Sequence, residues 1–239
     1  MAEDSTVSRQ QTKFSDLVAL MARLRSRDGC PWDREQDHRS LRRCLLEETY
    51  EVLEAIDRDD PEALRQELGD LLLQVVFHSQ LAAEAGKFDI EDVIEGLVEK
   101  LVSRHPHVFG EASAETAGQV LEQWDHLKRE QRGGAGAEPF GDVPSSLPAL
   151  SRAHVVQRRA ARQGTARSEE EARAAVEEAL ARLGRGVGED REAETAVGEL
   201  LFAAADLARS LDVDAEQALR ERLDRFVAEV RQVGPGSSS

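Results

Sequence analysis

The sequence predicts an all-α protein, and three observations carry that prediction. Ala, Leu, Glu and Arg dominate the chain, and all four favour helices. Apolar residues recur at spacings of three and four through most of the 239 residues. Runs rich in Val, Ile, Thr and Tyr, which would mark strands, are scarce. Aromatics are only 4%, so the core must be built mainly from Leu, Val and Ala.

The elements follow in order. A polar tail, 1–13, precedes a helix over 14–27 whose stripe is Leu17, Leu20, Met21 and Leu24. Asp28-Gly29-Cys30-Pro31-Trp32-Asp33 breaks it, since Gly and Pro together mark a loop. A second helix spans 40–58. Asp60-Pro61 then reads as an N-cap with proline at the first helical position, opening a third helix that ends at Gly86. A fourth, 90–104, leads into a loop over 105–110. A fifth, 116–131, carries Val120, Leu121, Trp124 and Leu127 at helical spacing. Segment 133–148, rich in Gly, Pro and Ser, separates a domain at 14–132 from another at 149–233. Helices are expected there at 149–163, 168–183, 191–211 and 215–233, with a disordered tail at 234–239.

The two halves look related. Leu68-Gly69-Asp70-Leu71-Leu72-Leu73 is echoed by Val197-Gly198-Glu199-Leu200-Leu201-Phe202, and each continues into an Ala- and Leu-rich helix. An internal duplication accounts for this.

Composition excludes several classes. A net charge of −16 argues against a general binder of nucleic-acid polymers, which needs a basic surface to displace counterions. No apolar run is long enough to span a bilayer, and the acidic start lacks the apolar centre of a signal peptide. A cytoplasmic location is expected, with Cys30 and Cys44 as reduced thiols.

The acidic residues carry the chemistry. At about 100° per residue, Glu47, Glu48, Glu51 and Glu54 fall on one side of the second helix. Leu46, Val52, Leu53 and Ile56 fall mostly on the other. Taken alone, that acidic face is read as solvated. The third helix changes the reading. It is apolar nearly all round and so expected to be buried, yet Glu67, Asp70, Gln74 and His78 share one of its faces. Buried carboxylates are costly unless paired with cations or bound to metal, and no Lys or Arg follows Arg65 in this helix. Ion pairs from elsewhere in the fold stay open as the competing account. Packing the two helices antiparallel would converge four or five carboxylates into an all-oxygen site for a hard cation. Mg2+ is the natural occupant, with Mn2+ a plausible substitute.

The pattern EExxE followed by ExxD, here Glu47-Glu48-x-x-Glu51 and Glu67-x-x-Asp70, resembles the signature of the MazG family within the all-α nucleotide pyrophosphohydrolases. Its surroundings are similar too: Gly29-Cys30-Pro31-Trp32-Asp33, Arg104-His105-Pro106-His107-Val108-Phe109 and Ser146-Leu147-Pro148-Ala149-Leu150. The resemblance is dense over 14–162 and thin afterwards. It implies Mg2+-dependent hydrolysis of nucleoside triphosphates to monophosphate and pyrophosphate, usually to clear aberrant nucleotides, by a homodimer. It also implies metal ligation by Glu48, Glu51, Glu67 and Asp70, with Glu47 a further ligand or the group that orients or deprotonates water. Lys100 and Arg104, one turn apart, are candidates for phosphate contacts, with an ordinary solvated helix end equally open. Trp32 is a candidate to stack on a base, or an anchor for its loop. His105 and His107 are read as part of a turn, and His78 as a polar neighbour of the site.

The second copy departs from the pattern. Val176-Glu177-Glu178-Ala179-Leu180-Ala181 keeps two acids but has Ala181 in the third place. Aligned on Gly198, Ala196 replaces a glutamate and Glu199 an aspartate. Gly184-Arg185-Gly186-Val187-Gly188 would also interrupt the helical scaffold. The C-terminal copy is therefore read as structural or dimer-stabilising. Either copy can carry activity in two-copy members, so a weak family member acting as a nucleotide-binding regulatory protein is the alternative. A purely structural bundle is the third.

Overall fold

The computed structural model describes residues 13–116, 118–120, 123, 124, 127, 140, 143–184 and 190–233. They contain helices and no strand. The chain divides into two compact units, 1–128 and 129–239.

In the first unit the helices are α1 (Phe14–Leu24), α2 (Pro31–Glu35), α3 (Arg42–Asp57), α4 (Pro61–Glu84), α5 (Ile90–Arg104) and α6 (Pro106–Phe109). Of the segments expected as loops, 28–33 includes the start of α2 and 105–110 contains α6. In both, proline occupies the first helical position, where its missing N–H costs no hydrogen bond. Of the expected helix at 116–131, Thr116 is a bend, residues 118–120, 123, 124 and 127 are helical, and the rest lies outside the described residues.

Helix α4 is the spine. Asp60 caps its start by accepting from the N–H groups of Glu62 (3.1 Å) and Ala63 (3.0 Å). Its end closes on Gly86 at φ 62°, a left-handed conformation that suits glycine. Helix α3 packs along α4, with α1 and α5 contributing smaller contacts. The core is Met21, Leu41, Val76 and Phe77, with Leu17, Val18, Leu73 and Leu81 against it.

Arg25 ties three elements together. Its guanidinium donates to Glu84 at 2.8–3.1 Å and to the carbonyls of Asp33 and Gln36, and lies 5.4 Å from the Phe77 ring centroid. Gly29 is needed where the chain turns, because a Cβ there would lie 2.1 Å from the Leu24 carbonyl oxygen.

One burial expectation is corrected. Helix α4 is not buried all round: Leu68, Leu72 and Val75, one row at i, i+4 and i+7, stand exposed. On α3, Leu46 and Ile56 are exposed while Ala55 is buried. The described helices of this unit are too few to cover every apolar row that its sequence provides.

The second unit holds α7 (Ala149–Arg162), α8 (Glu169–Gly184), α9 (Asp190–Ser210) and α10 (Ala215–Val233). Helices α8 and α9 make its main contact, over the buried small residues Ala172, Ala179, Ala196, Ala203 and Ala205. Asp206, buried, is held by Arg209 (2.8 Å) and Arg167 (3.3 Å). Helix α8 runs through Gly184, and 185–189 and 234–239 lie outside the described residues.

Candidate metal centre

The two acidic motifs meet because α3 and α4 are consecutive and joined by a tight turn. Asp59 takes φ 52° there, and the Asp60 N–H donates to the Ala55 carbonyl at 3.1 Å. This fold-back sets Glu48 of α3 opposite Glu67 and Asp70 of α4, which are one turn apart on their helix. One carboxylate oxygen from each of the three lies within 4.8 Å of the others. Glu48 and Glu67 are half-buried and Asp70 is exposed, so the group is open to solvent.

Among the described residues, no protein cation compensates the charges of Glu48, Glu67 and Asp70. Burial pushes the Glu48 carboxyl above its usual range, reinforced by Asp70, by the charge of Glu51 and a hydrogen bond to it, and by Glu67. Burial also raises Glu67, followed by the charges of Glu51 and Asp70. Glu51 is thus electrostatically coupled to both helices' acids. No ion pair among the described residues involves Glu48, Glu51, Glu67 or Asp70. Three basic groups on or beside these helices pair with other acids: Arg43 with Glu47, Arg58 with Glu54, and Arg65 with Glu62 at 2.5 Å. Oxygen donors that repel one another without a protein cation fit a hard divalent ion.

Other expected site residues fall outside this group. Glu47 points to Arg43, whose Nε donates to it at 2.7 Å. Trp32, at the start of α2, is 57% exposed. Lys100 is exposed and Arg104 half-buried near the end of α5. His105 meets the Trp124 ring edge-on at 5.1 Å, and the His107 Nδ1 is 3.1 Å from the Gln123 Oε1. His78 contacts His38, its Nδ1 2.9 Å from the other Nδ1. His38 gave no signal in the sequence, because it sits in a turn and its partner is 40 residues away. The Arg43–Glu47 pair was legible in principle, as an i,i+4 spacing.

In the second unit, Glu178 pairs with Arg182 at 3.1 Å, and Ala196 is buried at the place of a ligand. No second group of three potential ligands occurs among the described residues.

Fold and site together define a class: an all-helical protein with an all-oxygen candidate centre for a divalent cation. Comparison with known proteins narrows it. Residues 36–109 match the model of the MazG nucleotide pyrophosphohydrolase domain. The chain is 42% identical over 221 residues to a Thermotoga maritima protein named nucleoside triphosphate pyrophosphohydrolase/pyrophosphatase MazG, covering 92% of this chain and 85% of that one. It is also 42% identical over 224 residues to the Escherichia coli K12 nucleoside triphosphate pyrophosphohydrolase, covering 91% and 85%. A Mycolicibacterium smegmatis protein of the same name is 43% identical over 155 residues, 64% of this chain and 47% of that one. The chain belongs to the MazG family of nucleotide pyrophosphohydrolases.

Proposed function

We propose that the chain hydrolyses nucleoside triphosphates to the monophosphate and pyrophosphate in the cytoplasm, clearing aberrant ribo- or deoxyribonucleotides. The observation that carries this reading is the convergence of Glu48, Glu67 and Asp70, coupled to Glu51, with no ion pair to any of them among the described residues.

Glu48, Glu51, Glu67 and Asp70 would hold Mg2+, or Mn2+ in its place. That ion supplies neutralisation of the triphosphate and a lowered pKa for water. The protein's own residues would do the rest. Lys100 and Arg104 take phosphate oxygens, which lets a chain of net charge −16 hold a polyanion. The exposed Trp32 ring offers a face for the base. Glu47 orients or deprotonates the attacking water, and must release Arg43 to do so. The exposed apolar rows on α4 and α5 support a homodimer, whose partner copy would close the bundle over the nucleotide. The second unit is a degenerate copy that stabilises this assembly.

The test is pyrophosphate release from a panel of nucleoside triphosphates with Mg2+. Glu51→Gln is expected to lower kcat by at least about a hundredfold, the upper end of what loss of a group that only supports a metal's ligands costs. Glu178→Gln is expected to leave it unchanged. A wild-type chain that binds nucleotides but releases no pyrophosphate would replace this reading with the regulatory one.

A further inference from the structure

The contact between His38 and His78 has a geometry more specific than two neighbouring rings. The ring centroids are 5.2 Å apart, the Nδ1 atoms 2.9 Å apart, and the planes differ by 5°. The centroid separation exceeds the nitrogen separation by one ring diameter. The nitrogens therefore lie on the line joining the centroids, and the imidazoles meet edge to edge in one plane. That is an in-line Nδ1–H···Nδ1 hydrogen bond: one ring donates and the other presents a bare nitrogen. The His78 Nε2 is buried without a partner, as is the Oε1 of Gln74 one turn earlier. Among the described residues, the His78 imidazole makes its hydrogen bond through Nδ1, to His38.

The bond joins α4 to the turn that launches α3. In that turn the Asp37 Oδ1 accepts from the N–H groups of Arg39 and Ser40, each at 2.7 Å. Ser40 Oγ donates to Gln36 Oε1 at 2.7 Å. Leu41, 1% exposed, follows as a core residue. The turn is thus an internally braced unit, yet α3 starts without a side-chain cap. The other end of α3 is tied to α4 through the turn at Asp59 and Asp60. The acidic residues lie between these two fastenings, with Asp70 about 12 Å along α4 from His78.

The second unit supplies a contrast. On the alignment that pairs Glu48 with Glu178 and Asp70 with Glu199, His38 falls opposite Ser168 and His78 opposite Leu207. There α8 starts with a local exchange: Ser168 N–H donates to Glu171 (2.7 Å), and Glu171 N–H donates to Ser168 Oγ (3.2 Å). Where the acidic set is broken, the histidine bridge is absent and an ordinary cap takes its place.

We propose that His38 and His78 are positioning residues for the metal centre: their hydrogen bond pins the register of α3 on α4 and so sets Glu48 against Glu67 and Asp70. The inference deepens the metal-dependent reading above and rests on it. Supporting groups outside a metal's ligands typically change affinity by about ten- to a hundredfold.

The test is the Mn2+ dissociation constant of the full chain, measured calorimetrically without nucleotide. His38→Phe and His78→Phe keep a flat ring and remove the bond. Each is expected to weaken Mn2+ binding about tenfold, the lower end of that range. The double variant should lose no more than either single one, because one bond is removed in all three. His78→Asn, which restores a polar atom near the Nδ1 position, should recover most of the affinity. His38 is exposed, so His38→Phe decides the matter if His78→Phe does not fold. Its metal-free melting temperature should fall by no more than the loss of one hydrogen bond allows, while its Mn2+ affinity falls about tenfold; a merely structural contact would lower the melting temperature and leave the affinity unchanged. Unchanged Mn2+ affinity in His38→Phe, or losses that add in the double variant, would overturn the proposal. A wild-type chain with no pyrophosphohydrolase activity but this histidine-dependent Mn2+ binding would sink the proposed reaction and uphold the pin.

Discussion

Glu48 and Glu67 put a destabilising charge problem into the metal-free protein. Their carboxyls are raised from an ordinary value of 4.5, by burial first and by neighbouring acids after it. A raised carboxyl binds its proton more tightly in the folded state, so its favourable contribution is full below about pH 4.5 and is lost as pH rises through the folded pKa. Glu48→Gln should therefore raise the melting temperature in EDTA at pH 7. That gain should shrink as the pH falls toward 4.5. With saturating Mg2+ the sign should reverse, because metal binds the ionised carboxylate and stabilises only the folded chain. Calorimetry with and without Mg2+ checks all three statements, and a Glu48→Gln chain less stable than wild type in EDTA would refute the uncompensated cluster. His78 moves oppositely: burial and then His38 lower its pKa, so its contribution is lost as pH falls below 6.5. Comparing Glu48→Gln with wild type at each pH cancels that common background.

At the scale of elements, much was legible because helix ends carry local chemistry. Asp60-Pro61 and Gly86 mark the limits of α4 in the sequence, and the structure uses the Asp60 carboxylate and the left-handed glycine as the ends. Asp60→Ala should cost about 1 kcal/mol. A urea melt of the first unit's helical signal would register that loss, and no change would mean that the cap carries no weight. The short helices α2 and α6 were not legible, since proline both breaks a helix and starts one, and only the following hydrogen bonds distinguish the two. The acidic spacing on α3 and α4 was legible as two motifs, and their meeting followed from the tight turn between them. The direction of Glu47 was not: its rotamer answers to Arg43, a local competitor that the family pattern does not display. The histidine bridge lay beyond sequence reasoning for a different reason. A bond between a turn and a helix 40 residues away depends on the packing of α3 against α4, which no local pattern encodes.

For the whole molecule, the informative feature is how much apolar surface remains outside. On α5, Val93, Leu97 and Leu101 recur at i, i+4 and i+8 and are all exposed, as are Leu68, Leu72 and Val75 on α4. In the second unit, Leu219, Leu223, Phe226 and Val230 form a similar row on α10. Single exposed leucines need no explanation, but rows on successive helices exceed what a monomer normally leaves in water. The acids of α4 and the exposed row of α4 share one helix, so covering the row would also wall in the centre. Association and catalysis should consequently fail together. Leu97→Asp with Leu101→Asp places two charges in the α5 row without touching Glu48, Glu51, Glu67 or Asp70. Each buried leucine contributes roughly 1.5–3 kcal/mol, and each charge would have to be desolvated. Light scattering coupled to size exclusion should find wild type as a dimer and the double variant as a monomer at micromolar concentration. The same monomer should retain its helical content and lose pyrophosphate release. A dimeric double variant would move the interface away from α5, and a fully active monomer would show that one copy of the chain closes its own site.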